Sequence, residues 1–157
     1  MAAAEPALPK VLFLCTGNSC RSQMAEGWAK HLKADRIEAY SAGTQPEGLN
    51  ALAAKVMAEA GVDITGHGSK RPEDIGVEFD FVVTVCDSAN ESCPVFPAKT
   101  SVVHVGFEDP PRLAAHAGTE AEALTHYRRV RDEIRAYIET LPQSLPHRSP
   151  PIERQHS

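Results

Sequence analysis

The sequence predicts a three-layer α/β fold, a four-stranded parallel sheet flanked by helices. Three observations carry this. Short strand-like segments recur near Val11, Ile37, Phe81 and Ser101. Segments with helical spacing of apolar residues lie between and after them. The run Phe81-Val82-Val83-Thr84-Val85 is apolar almost without a break, as in a strand covered on both faces of a parallel sheet.

The elements follow in order. Residues 1–9 form a short tail. Lys10–Leu14 reads as strand one and Ser22–Lys33 as helix one. Ile37–Ser41 is a second strand, ended by Ala42-Gly43. Asn50 caps a helix that runs to Ala60, with Leu52, Val56 and Met57 on its apolar side and Gly61 as its stop. Gly66–Gly76 is loop-rich, and Pro72-Glu73-Asp74 opens a helical turn. Phe81–Val85 is strand three, and Ser101–Val105 is a fourth strand of the same covered kind. Thr119 and Glu122 form a capping-box signature before a long helix. Its buried stripe is Leu124, Tyr127, Val130, Ile134, Tyr137, Ile138 and Leu141, and Pro142 stops it. One α/β domain therefore spans residues 10–141. Residues 142–157 lack apolar periodicity and are expected to be a disordered tail. Met24, Trp28 and Met57 read as core residues, and there is no internal repeat.

Length and composition exclude several classes. The chain has 157 residues, enough for one domain with a real core, and is 42% hydrophobic and 24% charged. Its net charge of -5 and lack of a clustered basic face argue against nucleic acid as a partner. No stretch is long and apolar enough to span a membrane. The first residues carry Glu5 and no basic region, unlike a signal peptide, so a cytoplasmic location is expected. In that compartment Cys15, Cys20, Cys86 and Cys93 are not expected to form a permanent disulfide framework. Catalysis, transient redox chemistry and metal binding remain open to them.

The most informative stretch is Cys15-Thr16-Gly17-Asn18-Ser19-Cys20-Arg21-Ser22. It lies between strand one and helix one. A strand, a tight polar loop and a helix start turn backbone N–H groups into one concavity suited to a tetrahedral oxyanion. Cys15 sits at its base, and the planar fork of Arg21 can grip two oxygens. The same positive field favours a thiolate, so Cys15 reads as a nucleophile rather than a buried strand-end cysteine. Gly17 permits a turn at positive φ, and Ser19 or Ser22 could donate a hydrogen bond to the thiolate. Ligands of such folds bind beyond the carboxyl ends of the strands. Cys86 follows strand three and Asp109 follows strand four, so both should gather near Cys15. Asp109 precedes Pro110, which holds it extended. Beside the loop, a general-acid role outweighs that of a plain turn residue. The seven histidines show no metal-ligand spacing, and His67 and His104 read as loop and strand residues.

The loop resembles the phosphate-binding loop of low-molecular-weight protein tyrosine phosphatases. Cys15 to Trp28 is more similar still to the thioredoxin-coupled arsenate reductases built on that fold. The similarity continues in Tyr40-Ser41-Ala42-Gly43, Val82-Val83-Thr84-Val85-Cys86, Cys93-Pro94, Gly106-Phe107-Glu108-Asp109-Pro110 and Arg129-Val130-Arg131-Asp132-Glu133-Ile134. The resemblance implies a low-molecular-weight phosphatase-like fold and the reduction of arsenate to arsenite. Thr16, Gly17, Asn18, Ser19, Cys20, Arg21 and Ser22 would bind the oxyanion. Arsenic reduction takes two electrons, which a thiol pair supplies by becoming a disulfide. The resemblance implies an order: Cys15 attacks arsenic while Asp109 protonates the departing hydroxide, Cys86 attacks Cys15, and Cys93 attacks Cys86. Thioredoxin then reduces the Cys86–Cys93 bond. No cofactor and no resident metal are expected, and the chain should be a monomer.

Two competing readings stand beside this one. A tyrosine phosphatase needs only one nucleophilic cysteine and an acid, but it usually carries an aromatic residue beside that acid, where this chain has Pro111 and Arg112. A structural zinc site made of all four cysteines is disfavoured by the six-residue spacer between Cys86 and Cys93 and by Arg21. On one continuous helix Cys86 and Cys93 would stand about 10.5 Å apart along the axis, beyond the roughly 7 Å limit for a disulfide. Their polar connection must therefore loop or unwind. Cys20 is a spectator in the implied relay. Some such reductases bind potassium behind the loop. Asn18, Glu26 and Ser41 match that site and Gly68 and Lys70 do not; two readings of Lys70 stand open, an ammonium in the ion's place against Glu26 and Asn18 and a solvated loop lysine.

Overall fold

The structure, a computed structural model, describes residues 8–85 and 100–146. Its four strands are β1 (Lys10–Cys15), β2 (Glu38–Gly43), β3 (Phe81–Thr84) and β4 (Ser101–His104). They form one parallel sheet in the order β2-β1-β3-β4. The helices are α1 (Arg21–Leu32), α2 (Ala51–Glu59), α3 (Pro110–Leu113) and α4 (Glu120–Ile138), with 3-10 turns at Pro72–Asp74 and Ala114–His116. The expected four-stranded parallel sheet with flanking helices is what the chain forms.

Alternation along β1 builds two apolar layers, because successive side chains of a strand point to opposite faces. Val11, Phe13 and Cys15 join Trp28 and Met24 of α1, Met57 and Val56 of α2, and Leu124, Tyr127, Val130, Ile134 and Ile138 of α4 in the main core. Leu12 and Leu14 face the other way, with Val82, Ala42 and Phe79, and with Ile75 and Val77 packed against them. Among the described residues, that second face is covered by the segment around Ile75–Phe79 rather than by an α-helix. The apolar positions proposed for the core, Met24, Trp28 and Met57, are all buried.

Local signals place most boundaries. The Asn50 side chain accepts hydrogen bonds from the Leu52 and Ala53 amides and starts α2. Gly61 follows that helix at φ 88, the left-handed geometry of a helix stop. Thr119 Oγ1 accepts from the Glu122 amide as expected, but Glu122 returns its bond to the Gly118 amide, one residue before the cap.

Four expectations are corrected. β4 is the edge of the described sheet, and its side chains alternate between half-buried and exposed, with Val102 50% exposed. Its apolar run thus reflects β propensity more than burial on two faces. The short helix α3 lies where none was expected, because Pro110 and Pro111 preset its first turn. α4 ends at Ile138, before Pro142. The packed chain also continues past Leu141: Ser144 N donates to Thr140 O, Leu145 N donates to Pro142 O, and Leu145 joins the main core. Residues 147–157 of the expected tail lie outside the described residues, as do 1–7.

The register sets Cys15 beside Gly43 at the carboxyl ends of β1 and β2. A Cβ on Gly43 would lie 2.5 Å from the Thr16 carbonyl oxygen and 2.6 Å from the Asn18 nitrogen, both main-chain atoms that cannot swing aside. Gly43→Ala should therefore push the loop off β2 and lower stability by about 1–3 kcal/mol. Urea denaturation of the two proteins checks this; an unchanged midpoint would show that the loop yields freely.

Candidate active site

The loop after β1 is held from outside by its own carbonyls. Thr16 O accepts from Gln45 N, Gly17 O from Glu47 N and Ser69 Oγ, Asn18 O from Gln23 Nε2, Ser19 O from Asn50 N, and Cys20 O from Met24 N. In a planar trans peptide the N–H points opposite to the C=O. Five carbonyls anchored outward therefore turn the following amides, Gly17 to Arg21, toward the interior of the loop. α1 begins there with neither a side-chain cap nor an acidic residue in its first turn. Its first amides thus add to a concavity that favours negative charge.

The left-handed residue of the loop is Asn18, at φ 46, and not Gly17 as expected. Asparagine tolerates this region because its short amide can bond nearby backbone. Here the amide serves as a hub. Lys70 N donates to Asn18 Oδ1 at 2.9 Å, which aims Nδ2 at two hydroxyls, Ser22 Oγ at 2.9 Å and Ser41 Oγ at 3.0 Å. Ser41 in turn donates to Glu26 Oε1. Ser22 Oγ lies 2.9 Å from Cys15 Sγ. Since Ser22 accepts from Asn18, its own proton is available to the sulfur. Of the two candidate serines, Ser22 meets the thiol.

Arg21 is buried and crosses the mouth of the loop. Its Nη1 donates to Phe107 O at 3.0 Å, and its Nη2 stands 3.6 Å from Asp109 Oδ1. Asp109 is extended, at φ -86 and ψ 108, as the following proline requires, and it precedes α3 without capping it through its side chain. Its carboxylate, 32% exposed, instead faces Arg21. The structure thus brings Cys15, Arg21, Ser22 and Asp109 together. Cys86 and Cys93 lie outside the described residues.

Both loop cysteines are buried. At Cys20, burial pushes the thiol far up; the nearby Asp109 and Cys15 push it the same way, and Arg21 only partly opposes them. Cys20 therefore remains a neutral thiol across the physiological range.

Gln23 and His67 form a brace that the sequence reading missed. Gln23 Nε2 donates to Asn18 O and Gly68 O, which leaves Oε1 to face His67 Nδ1 at 3.1 Å. The readable signal was a run of polar residues, Ser22, Gln23 and Glu26, on an otherwise buried helix. His67 is held below the ordinary histidine range, mainly by burial, and so is neutral at neutral pH.

The site behind the loop does not fit a bound potassium ion. Glu26 already meets the Lys30 ammonium at 2.6 Å, and Asn18 Oδ1 accepts from Lys70 N. The reading of Lys70 in the ion's place is also corrected. Lys70 Nζ donates to Gly68 O, its own loop carbonyl, while Lys30 takes Glu26 because it lies one helical turn along α1.

Comparison with known proteins agrees with this geometry. The chain matches the family described as low molecular weight phosphotyrosine protein phosphatase over residues 10–149. It is 49% identical over 125 residues to an arsenate reductase of Bacillus subtilis (strain 168), covering 79% of this chain and 88% of that one. A solved arsenate reductase in a phosphate-binding state superposes with a TM-score of 0.68 at 31% identity, covering 85% of this chain and 96% of the other. The thioredoxin-dependent arsenate reductase of Corynebacterium glutamicum gives a TM-score of 0.59 at 25% identity, covering 87% of this chain and 64% of that one.

The contrast between the two loop cysteines is directly measurable. Burial disfavours the Cys20 thiolate, so raising the pH from 6 to 9 should not expose it to alkylation. Iodoacetamide should label Cys15, whose sulfur has a hydroxyl donor, and leave Cys20 untouched. Peptide mass spectrometry reads both; equal labelling of Cys20 would overturn the assignment.

Proposed function

The chain belongs to the low molecular weight phosphotyrosine protein phosphatase family, and from that premise we propose that it reduces arsenate to arsenite through a Cys15/Cys86/Cys93 relay regenerated by thioredoxin. The observation that carries the reading is the outward-anchored loop with Cys15 Sγ on Ser22 Oγ and with Arg21 facing Asp109 across its mouth. The amides of the loop and the Arg21 fork take the arsenate oxygens. The Cys15 thiolate attacks arsenic, and Asp109 gives its proton to the departing oxygen, which leaves as water. Cys86 then attacks Cys15 Sγ. The S–S bond forms as the S–As bond breaks, and arsenic departs as arsenite with the electron pair. Cys93 attacks Cys86 and releases Cys15. Thioredoxin's dithiol reduces the Cys86–Cys93 disulfide.

Several features support this over hydrolysis of an aryl phosphate. The residues after Asp109 are Pro110, Pro111, Arg112 and Leu113, with no ring to stack on a substrate. A hydrolase has no use for Cys86 and Cys93. Weak phosphatase activity in the same loop is compatible with the geometry, because phosphate and arsenate are similar tetrahedral anions. No helix among the described residues is long and apolar enough to cross a membrane, and we assign the enzyme to the cytoplasm, where thioredoxin keeps thiols reduced.

Arsenate-dependent NADPH oxidation through thioredoxin and thioredoxin reductase tests the proposal. Cys15→Ser should abolish it, because a serine hydroxyl supplies no comparable anion at neutral pH. Cys93→Ser should release one equivalent of arsenite and then stop, with a Cys15–Cys86 bond found by peptide mapping. Sustained turnover by either variant would refute its assigned role.

Asp109→Asn should slow turnover by ~10²–10⁴-fold, the usual contribution of a general acid, while phosphate still competes for the loop. An unchanged single-turnover rate would return Asp109 to an Arg21 partner only.

A further inference from the structure

Glu26 is a carboxylate whose side chain is only 5% exposed, and it lies at the far end of the hydrogen-bond chain that reaches the nucleophile. From Cys15 Sγ the chain runs through Ser22 Oγ, Asn18 Nδ2 and Ser41 Oγ to Glu26 Oε1. Its direction depends on the last member. An ionised carboxylate is acceptor-only, so Ser41 must donate to it and keep its lone pairs for Asn18. Were the Glu26 carboxylate to swing away, the Ser41 hydroxyl would be free to turn, and the grip on Asn18 would loosen.

A buried charge is costly unless it is paired and hydrogen-bonded. Three basic groups surround Glu26. His67 Nδ1 is 3.6 Å from Oε1, but burial keeps that ring neutral. Lys70 lies near and feels Glu26, but its Nζ donates to Gly68 O. Lys30 Nζ sits 2.6 Å from Oε2, the oxygen that Ser41 does not use, on a stem that is 53% exposed. We propose that Lys30 is a positioning residue for the reaction: its ammonium pins the Glu26 carboxylate where Ser41 donates to it, and thereby orients Asn18 and Ser22 toward Cys15. The inference rests on the reading of Cys15 as the nucleophile, but its test does not need arsenate.

The test is the rate of Cys15 alkylation by iodoacetamide between pH 6 and 9, followed by peptide mass spectrometry on the full chain. Lys30→Met keeps the stem and removes the charge. It should slow alkylation at pH 7 on the order of 3- to 30-fold, the range of coupling between groups in one network, and move the profile to higher pH. Lys30→Arg should restore most of the rate, and Lys70→Met should change it much less. In a Glu26→Gln background, adding Lys30→Met should have almost no further effect. A Lys30→Met rate equal to wild type, or the same loss with and without Glu26, would overturn the proposal. Should Lys30→Met fail to fold, the double variant decides: folding with the Glu26→Gln rate supports the proposal, and failure to fold refutes it. Loss of arsenate turnover in the wild type would instead refute the functional reading and leave this result standing.

Discussion

The side-chain amide of Asn18 ties the loop and the start of α1 to two segments distant in sequence. Its oxygen takes the Lys70 amide, and its nitrogen bridges Ser22 on α1 and Ser41 on β2. The backbone beneath it is left-handed. The two bonds to Ser22 and Ser41 are buried, so a partner lost there would leave a desolvated polar atom, at a cost of about 1–3 kcal/mol. The loop geometry, the aim of Ser22 at the sulfur and the contact with β2 thus stand or fall together. A main chain held this way needs no rearrangement to receive an anion, which is the condition for electrostatic stabilisation of a charged transition state.

The same locality explains how an acidic chain handles an anion. With a net charge of -5 the protein offers no long-range attraction to an oxyanion. Attraction arises only within the loop, from amides aligned by outward-anchored carbonyls and from Arg21. Asp109 moderates that field by facing Arg21 at 3.6 Å. Two buried cysteines five residues apart meet different surroundings: Cys15 contacts the Ser22 hydroxyl, whereas burial and the nearby Asp109 hold Cys20 as a thiol.

The helices keep this constellation rigid. Trp28 of α1 donates its indole N–H to Arg131 O of α4 and lies under the Arg135 guanidinium at 4.9 Å. Arg131 Nη1 reaches the Val56 carbonyl of α2. Arg129 joins α4 to Glu108, next to Asp109, at 2.7 Å. Such exposed pairs add little stability singly. Their effect is positional: they fix the segment that carries Phe107 and Asp109 against the helix behind it.

What the sequence determined by itself was whatever depends on neighbouring residues. The strand, loop and helix around Cys15, the caps at Asn50 and Thr119, and the extended Asp109 before Pro110 all rest on short-range sterics and hydrogen bonds. The i,i+4 spacing of Glu26 and Lys30 belongs to that class and was equally open to reading. The tertiary structure decided which of several equivalent groups meets its partner: Ser22 rather than Ser19 at the sulfur, Asn18 rather than Gly17 in the left-handed turn, and Lys30 rather than Lys70 at the buried carboxylate. It also decided that β4 lies at the edge of the described sheet and that Leu145 returns to the core. The fate of Lys70, the place of β4 and the return of Leu145 depend on segments far apart in sequence, which strand order and helix packing bring together and which no local pattern encodes; within the loop, the choice of Asn18 and Ser22 follows from its contacts with Ser41 and Lys70.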